Sequence, residues 1–396
     1  MKETKFKDTE IGKIPEEWEM YSIGKDCSVK ARIGWQGLTT SEYLQTGHYG
    51  LITSTDLIEG KVNWDTCVFV SEERYKQDTN IIVKNGDVLV SKDGTIGKVA
   101  VVSNLRYPTT LNSGVFVIRT KNEKITQEGL GLVFISPYFK DFIKRLTAGS
   151  TIVHLYQKDI VNFTFPIPTL PEQHRIASAL TSIDKLISSL GKLIEKKKNI
   201  KQGAMQQLLT GQIRLKGFSE PWGEKKLEEV CSVKRGVRVV KRNLTTDSLY
   251  PVYQNTNFPL GYSNQYNVEA NTPFVIIGGS AGQVGICRER YWAADDCAFF
   301  ACHDIYKEYL YYVLLLNQSN ILHNVRTGTI PRLDRSILSN MVVYISSNID
   351  EQQAIATILN KMDNEITALE AKKAKYEAIK QGMMQQLLTG KIRLIS

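Results

Sequence analysis

The chain of 396 residues is too long for one ordinary domain and should bury two or more hydrophobic cores. Its hydrophobic content of 42% is that of a folded globular protein, and its longest apolar run (Tyr309 to Leu316) is far shorter than the roughly 20 residues that cross a bilayer. The net charge of +9 favours polyanionic partners, and residues 1–10 have no apolar core of a signal peptide, so we expect a cytoplasmic protein.

Residues 1–168 are predicted to form a first domain of mixed α/β structure. Short β-type runs, Asp87 to Val90 and Gly114 to Ile118, alternate here with Gly- and Asn-rich turns. Polar side chains that can pair with base edges or phosphates stand beside glycines, which let a backbone approach DNA closely. These candidate DNA-binding residues are Lys30, Arg32, Trp35, Gln36, Ser91, Lys92, Thr95, His154 and Gln157. The alternative is that many of them are solvated surface charges or turn residues.

Residues 169–211 are predicted to form a first long helix. Thr169 and Glu172 have the spacing of a capping box, and Gly211 supplies a left-handed residue that ends a helix. The apolar residues between these limits alternate in steps of three and four, which is typical of a coiled-coil seam. They are Ile176, Leu180, Ile183, Ile187, Leu190 and Ile194.

This first helix also carries much of the excess positive charge. Residues 171–215 contain eight basic and three acidic side chains, which is five of the nine excess charges. The run Lys196 to Lys198 is either a solvated face or a surface along which DNA passes. The second case would explain why the second helix is less basic; alternatively, the more acidic second helix faces a protein partner.

Residues 212–347 are predicted to form a second domain with the same fold and a different surface. Trp222 stands nine residues before Cys231-Ser-Val-Lys234, as Trp18 does before Cys27-Ser-Val-Lys30. Asp93 to Val99 corresponds to Gly278 to Val284, Thr151-Ile152 corresponds to Thr329-Ile330, and Pro273 to Ile277 has β-type composition. The candidate DNA-binding residues are Lys234, Arg235, Arg238, Lys241, Arg242, Ser280, Gln283, Arg326, Thr329, Arg332 and Arg335.

Residues 348–396 are predicted to form a second long helix and a short tail. Residues 350–394 align without a gap to 171–215, with about half of the positions identical. Asn348 and Glu351 repeat the capping-box spacing, and Gly390 repeats the helix end. The seam continues through Ile355, Leu359, Met362, Ile366, Leu369 and Tyr376. An exposed seam would be unfavourable, so we expect the two helices to pair antiparallel; the alternative is that each lies on its own domain.

The order domain, helix, domain, helix resembles the specificity subunit of type I restriction–modification systems along essentially the whole chain. The residues that carry the resemblance are Leu170-Pro-Glu-Gln173, Asp350-Glu-Gln352, both Gln-Gln-Leu-Leu-Thr-Gly helix ends, Ile14-Pro-Glu-Glu-Trp18 and Lys92-Asp-Gly-Thr-Ile-Gly97. The second domain is shorter and opens with Glu220-Pro-Trp222, so its boundary is less well defined.

The resemblance implies an α+β fold: two target-recognition domains joined by two long helices in an antiparallel coiled coil, as a pseudo-twofold internal repeat. It implies that each domain reads one half of a bipartite site in double-stranded DNA, with the helices as a spacer. It further implies docking of two methyltransferase (modification) subunits that methylate adenine, and of restriction subunits that act as translocase and nuclease. S-adenosylmethionine, ATP and Mg²⁺ would bind those partners and not this chain.

The residues themselves carry few signals for catalysis. Neither an Asn/Asp-Pro-Pro-Tyr/Phe step nor a GxxxxGK[ST] phosphate loop occurs, so we expect a non-catalytic subunit. Gly278-Gly-Ser-Ala-Gly282 matches a hydrolase nucleophile elbow only superficially. The six cysteines form no CxxC pair, and Cys297, Cys302 and His303 lack a fourth ligand, so we expect ordinary thiols and no metal.

Two other functions are compatible with the sequence. One is a coiled-coil tether that links protein partners without reading DNA. The other is the specificity chain of a fused methyltransferase–nuclease system.

Overall fold

The computed structural model describes residues 5–147, 154–240, 244–245 and 248–395. The chain divides into two compact units. Unit 1 contains Met1–Ser188 and Ala374–Ser396, and unit 2 contains Ser189–Lys373. Each unit therefore combines one mixed α/β domain with parts of both long helices.

The domain of unit 1 is built on a six-stranded sheet with the order β4-β12-β9-β10-β7-β6 and a three-stranded sheet with the order β11-β5-β8. Two strand pairs, β1-β2 and β13-β3, lie beside them. The strands are β1 Phe6–Thr9, β2 Gly12–Pro15, β3 Glu19–Ser22, β4 Cys27–Lys30, β5 Tyr49–Ile52, β6 Leu57–Ile58, β7 Gly60–Val62, β8 Val68–Val70, β9 Val88–Ser91, β10 Val99–Val101, β11 Thr109–Leu111, β12 Val115–Thr120 and β13 Thr164–Ile167. The helices are α1 Ile23–Asp26, α2 Glu72–Lys76, α3 Gln127–Ile135, α4 Pro137–Thr147 and α5 Gln157–Ile160.

The domain of unit 2 contains a four-stranded sheet with the order β15-β21-β18-β19, a three-stranded sheet β17-β16-β20 and the pair β14-β22. The strands are β14 Trp222–Lys226, β15 Cys231–Arg235, β16 Tyr250–Tyr253, β17 Gly261–Ser263, β18 Pro273–Ile276, β19 Val284–Ile286, β20 Trp292–Ala293, β21 Cys297–Cys302 and β22 Val342–Ser346. The domain helices are α7 Leu227–Val230, α8 Lys307–Leu316, α9 Gln318–His323 and α10 Arg335–Ser339.

The two domains repeat one topology. The antiparallel order β4-β12-β9-β10 recurs as β15-β21-β18-β19, and the parallel pair β5-β11 recurs as β16-β20. The two Cys-Ser-Val-Lys motifs begin the equivalent strands β4 and β15. The predicted strands at 87–90, 114–118 and 273–277 are found as β9, β12 and β18, with ends shifted by one or two residues. The prediction of a shared fold is confirmed.

The two long helices are α6 (Leu170–Leu208) and α11 (Ile349–Leu387). In unit 2 they run antiparallel, because Lys198 pairs with Glu370 and, further along α6, Lys201 pairs with Asp363. In unit 1 the start of α6 packs on the end of α11 through the apolar cluster Ile176, Leu180, Met384, Leu387 and Leu388. The predicted antiparallel coiled coil is confirmed, and the alternative of two separate helices is wrong.

The predicted seam residues line this packing to different depths. Eight are buried, namely Ile176, Leu180, Ile183, Leu190, Ile194, Ile355, Leu359 and Ile366. Four are half-buried, namely Ile187, Met362, Leu369 and Tyr376. The mixture of depths fits a two-helix seam that solvent reaches from both sides.

The helix-end glycines have a second role besides ending the helices. Gly211 and Gly390 have φ of +70° and +68°, as predicted for a left-handed residue after a helix. A Cβ on Gly390 would lie 2.4 Å from Pro15 Cγ and 3.2 Å from the Trp18 ring, and a Cβ on Gly211 would lie 3.2 Å from the Trp222 ring. Each glycine therefore also leaves room for the first tryptophan of a domain.

The glutamates of the predicted capping boxes bind partners far away in sequence. The Asn348 side chain does accept from the Glu351 N–H at 3.0 Å, as predicted. The Glu351 carboxylate, however, accepts from Trp222 Nε1 at 3.0 Å and from Arg214 Nε at 2.6 Å. A reciprocal capping bond was the wrong expectation for this side chain, because the indole and guanidinium compete for its oxygens.

Unit 1 repeats this arrangement. Glu172 accepts from Trp18 Nε1 at 3.0 Å and from Arg393 Nε at 2.7 Å. Both glutamates are 0% exposed. We call Trp18, Glu172 and Arg393, and likewise Trp222, Glu351 and Arg214, the Trp–Glu–Arg clusters. Each cluster joins the first part of a domain, the start of one helix and the segment after the other helix.

We expect Arg393→Ala to lower the free energy of unfolding by about 3 kcal/mol, because it leaves the buried Glu172 carboxylate without its cation. Urea unfolding of the full chain measures this loss. The double variant Glu172→Gln/Arg393→Met should recover part of it, since no buried charge remains. Arg106→Ala removes only an exposed pair with Asp65 and should leave the midpoint unchanged; equal effects of the two alanine variants would contradict a central role of the cluster.

Candidate nucleic-acid interface

A glycine loop connects two equivalent hairpin strands in each domain. It lies between β9 and β10 in unit 1 and between β18 and β19 in unit 2. Its glycines have positive φ at equivalent positions: Gly94 (+68°) and Gly97 (+76°) in unit 1, Gly279 (+85°) and Gly282 (+86°) in unit 2. Because L side chains rarely adopt this conformation, the glycines are required by the turn and not by chemistry.

A second segment lies directly beside each glycine loop. In unit 1 Asp93 forms an isolated β-bridge with His154, and in unit 2 Gly278 forms one with Arg332. The tertiary structure thus brings together two sets of candidate residues that are about 50 to 60 positions apart in sequence. Loop and second segment form one continuous surface in each domain.

In unit 1 this surface carries partly exposed aromatic and basic groups. His154 Nδ1 contacts the Asp93 carboxylate, and its ring lies 4.5 Å from the Tyr156 ring. Lys92 Nζ lies 5.4 Å from the Phe116 ring centroid, and Thr95 is exposed at the loop tip. Tyr156 is 52% exposed and was not among the predicted residues, although its position between His154 and Gln157 could have suggested it.

Three candidates of unit 1 are buried, namely Arg32, Ser91 and Gln36. Arg32 is 1% exposed, and its guanidinium donates to Leu111 O, Gln77, Arg74 O and Thr110. Its burial lowers the pKa of the guanidinium. Ser91 is also buried, donates to Thr95 O at 2.6 Å and accepts from the Lys98 N–H. Predicting these side chains as surface DNA contacts was wrong, because their polar atoms already hold the fold together.

The remaining candidates of the unit 1 sheet edge differ in accessibility. Gln36 is buried as well, and its Oε1 has no hydrogen-bond partner among the described residues. A surface contact was therefore the wrong expectation for it too. Gln157 donates to Val29 O at 3.3 Å. Lys30, at the end of β4, is exposed and stays a candidate.

In unit 2 the candidates are mostly exposed and basic. Arg332 is 55% exposed at its side chain and donates from Nη1 to Asp296 at 2.8 Å. Its backbone pairs with that of Arg326, so these two arginines belong to one narrow hairpin. The other exposed candidates of unit 2 are Lys234, Arg235, Arg238, Thr329 and Arg335, while Ser280 and Gln283 in the glycine loop are half-buried.

A loop missed by the sequence analysis completes the unit 2 surface. The Ser280 N–H donates to Asn255 O at 2.9 Å, so residues 254–258 pack against the glycine loop. Phe258 at the end of this loop is 73% exposed, and its backbone is held by the hydroxyl of Thr256. An exposed aromatic on a loop that packs against the glycine loop is suited to contact bases. The Asn- and Thr-rich run before Phe258 was the only sequence signal.

Two lysines of the run on α6 are paired within unit 2. Lys197 contacts Glu365 and Lys198 contacts Glu370, both at 2.7 Å. The hydrogen bond from Lys197 lowers the pKa of Glu365. Two carboxylates of the second helix therefore balance two of the lysines of the first helix. Whether acidic α11 also faces another protein stays a prediction, because Glu365 and Glu370 are still half exposed in these pairs.

The glycine-rich motif that superficially matched a nucleophile elbow has a different structural context. Gly278 to Gly282 connects two strands, β18 and β19, whereas a nucleophile elbow requires a strand followed by a helix.

All six cysteines are unpaired, and burial raises the pKa of Cys67 to about 12. Within the described ranges no group of His, Cys, Asp and Glu could hold a metal ion, and no helix is long and apolar enough to cross a membrane. The candidates Lys241 and Arg242, and the repeat landmark Thr151-Ile152, lie outside the described residues.

The two domains have the same scaffold but different polar loops, and each is built onto a shared pair of long helices. This arrangement defines a class of modular recognition protein. The family model of the type I restriction modification DNA specificity domain matches residues 15–202 and 219–381. The chain belongs to this family.

Several relatives are similar to the chain. The putative type I restriction enzyme MjaX specificity subunit of Methanocaldococcus jannaschii is 24% identical over 99% of this chain and 98% of its own length. The MjaVIII specificity subunit of the same organism is 28% identical over 54% of this chain, but the match spans only half of that relative. The crystal structure of the type I restriction-modification S subunit from M. genitalium has the same fold, with a TM-score of 0.67, 16% identity and coverage of 93% of this chain and 96% of that one.

Arg332→Ala should weaken binding to the second half-site, by about tenfold if the side chain contacts a base edge. Binding to the first half-site should not change. Titration of duplexes in which one half-site at a time is scrambled measures this difference. An equal loss on non-specific duplex would show that Arg332 contacts only phosphate.

Neutralising the paired lysines with Lys197→Gln/Lys198→Gln should leave the salt dependence of DNA binding unchanged. Both ammonium groups are already paired with carboxylates of α11. Measuring affinity against salt concentration gives the slope that reports phosphate contacts. A shallower slope than that of the unmodified chain would mean that DNA does pass along the helices.

Proposed function

We propose that this chain is the DNA sequence-specificity subunit of a type I restriction–modification complex. Each domain reads one half of a bipartite site in double-stranded DNA, and the helix pair fixes the gap between the halves. The chain directs adenine methylation or restriction that partner subunits perform. The observation that carries this proposal is the duplicated glycine-loop surface, which has one backbone and two different sets of side chains.

The two glycine-loop surfaces carry different side chains on the same scaffold, which favours recognition of two different half-sites. In unit 1 the surface presents Lys92, His154 and Tyr156, with one imidazole against a carboxylate. In unit 2 it presents Arg332 and Phe258 and is more basic. Arginine pairs best with guanine in the major groove, whereas apolar groups contact the thymine methyl. Domains with the same fold and these different groups would read different bases.

Support for a spacer comes from the helix pair itself. A helix pair resists bending far better than a flexible linker, and one base-pair step is about 3.4 Å. Ion pairs such as Lys201 with Asp363 and Lys380 with Asp184 fix the register of the two helices inside each unit. A fixed register favours one gap length over several.

The repeat also supports two equivalent partner sites. We propose that two methyltransferase (modification) subunits bind the chain, one for each repeat, and that restriction subunits with translocase and nuclease activity join them. S-adenosylmethionine, ATP and Mg²⁺ would then be bound by these partners, and the chain itself would be non-catalytic. This role places the chain with the DNA in the cytoplasm.

Inserting four residues after Gly191 tests the spacer. Because Gly191 lies beside Lys373 of α11, a matching insertion after Lys373 keeps both ends of the helix pair in register. Four helical residues add about 6 Å, which is about two base pairs at most. We expect a gap longer by one or two base pairs and unchanged half-sites, measured by mapping methylated adenines in cells that express the complex.

The control is a variant with the same insertion in an exposed loop of one domain, after Gly217, which should leave the gap unchanged. Altered half-site sequences with the original gap would contradict the spacer. No sequence-specific methylation with any set of partners would contradict DNA recognition and favour a tether.

A further inference from the structure

Unit 1 contains an open groove of about 1010 Å³ between its domain and its part of the helix pair. The side chains that decide its chemistry are Ser103, Glu128, Leu132, Thr181, Asp184 and Lys380. Asp184 and Lys380 form an ion pair of 2.6 Å on its helical wall. The groove is thus partly apolar and carries charges at defined points.

The six positions have exact counterparts in unit 2. The helix residues Thr181, Asp184 and Lys380 align with Asn360, Asp363 and Lys201 in the gapless repeat. Residues 127–135 (α3) align with 307–315 (α8) through shared Glu, Leu and Val residues, so Glu128 matches Glu308 and Leu132 matches Tyr312. Ser103 lies two residues after the end of β10, and Arg288 lies two residues after the end of β19, so these two positions correspond.

In unit 2 the counterparts fill the corresponding space. The Tyr312 hydroxyl donates to Asp363 at 2.7 Å, and Lys201 Nζ lies 5.4 Å from the Tyr312 ring. Arg288 donates to Glu308 at 3.1 Å and to Asn360 at 2.6 Å. An aromatic ring over the Asp–Lys pair and a guanidinium against the glutamate therefore satisfy this site from within the chain.

In unit 1 both of these groups are missing at the aligned positions. Leucine replaces the tyrosine, serine replaces the arginine, and Gly131 stands where unit 2 has Tyr311. Glu128 is exposed, and among the described residues its carboxylate has no hydrogen bond or ion pair. The Asp184–Lys380 pair and Glu128 are retained, whereas the tyrosine and the arginine that contact their counterparts in unit 2 are absent.

We propose that this groove binds a segment of a partner protein that supplies the two missing groups. A tyrosine of the partner lies over the Asp184–Lys380 pair, and an arginine of the partner pairs with Glu128. Protein side chains are the favoured occupant because protein side chains fill the same site in unit 2. The tyrosine and the arginine are missing at the aligned positions of unit 1 alone, so this partner binds once per chain, in contrast to partners that use the repeated surfaces.

The inference does not rest on DNA recognition and can be tested separately. The variant Ser103→Arg/Leu132→Tyr installs the unit 2 side chains and should fill the groove. We expect it to fold and to bind both DNA half-sites like the unmodified chain. If the double variant loses its fold, Ser103→Arg alone carries the test, because Ser103 is exposed.

The probe is a phage-displayed library of random dodecapeptides, selected on the full chain and counter-selected on the filled variant. We expect enriched peptides with a tyrosine and an arginine close together that bind one per chain in fluorescence anisotropy. Their affinity should fall about tenfold or more with the filled variant and about tenfold with Glu128→Gln, because a charge-assisted hydrogen bond is lost. Glu123→Gln, an exposed carboxylate outside the groove, is the matched control and should change nothing.

Two results would overturn the proposal. One is that the selected peptides bind the filled variant as tightly as the unmodified chain. The other is that the selection yields no peptide that distinguishes the unmodified chain from the filled variant. If, in addition, members of a small-molecule fragment library bind only the unmodified chain, the groove would be assigned to a small ligand.

Discussion

Glu172 and Glu351 are ionisable side chains that are completely buried, and a buried carboxylate without partners would strongly disfavour folding. Each is compensated by an indole N–H from the start of a domain and by the guanidinium of an arginine that follows the other long helix. These donors come from separate parts of the chain, so the carboxylate is compensated only when all three segments meet. Domain, helix start and helix end are thereby forced into one arrangement within each unit.

A scaffold held in this way tolerates changes in its loops. The glycines of the two glycine loops are fixed by their positive φ, as Gly97 and Gly282 illustrate. The side chains beside them are not fixed by the fold, and they differ between the units: His154 stands where the other domain has Arg332. Separating the residues that hold the fold from those that face solvent lets two copies of one domain acquire different surfaces.

Divergence between the copies extends to the contact of each domain with its helices. In unit 2 Tyr312 and Arg288 connect the domain to α11 through Asn360 and Asp363. Unit 1 lacks these connections and has an open groove at the same place. Both units keep the Trp–Glu–Arg cluster, so the loss of the additional connections is compatible with the same fold.

The sequence by itself determined the duplication, the two long helices and the seam between them, because periodicity and repetition are local patterns that need no knowledge of distant contacts. It also located the glycine loops. Only the tertiary structure decided which polar side chains are available: Arg32 and Ser91 stand among glycines and turns like surface residues, yet both satisfy buried backbone groups. The pairing of Glu172 with Arg393 was likewise hidden, because charge and spacing do not reveal which side chains, 221 positions apart, become neighbours.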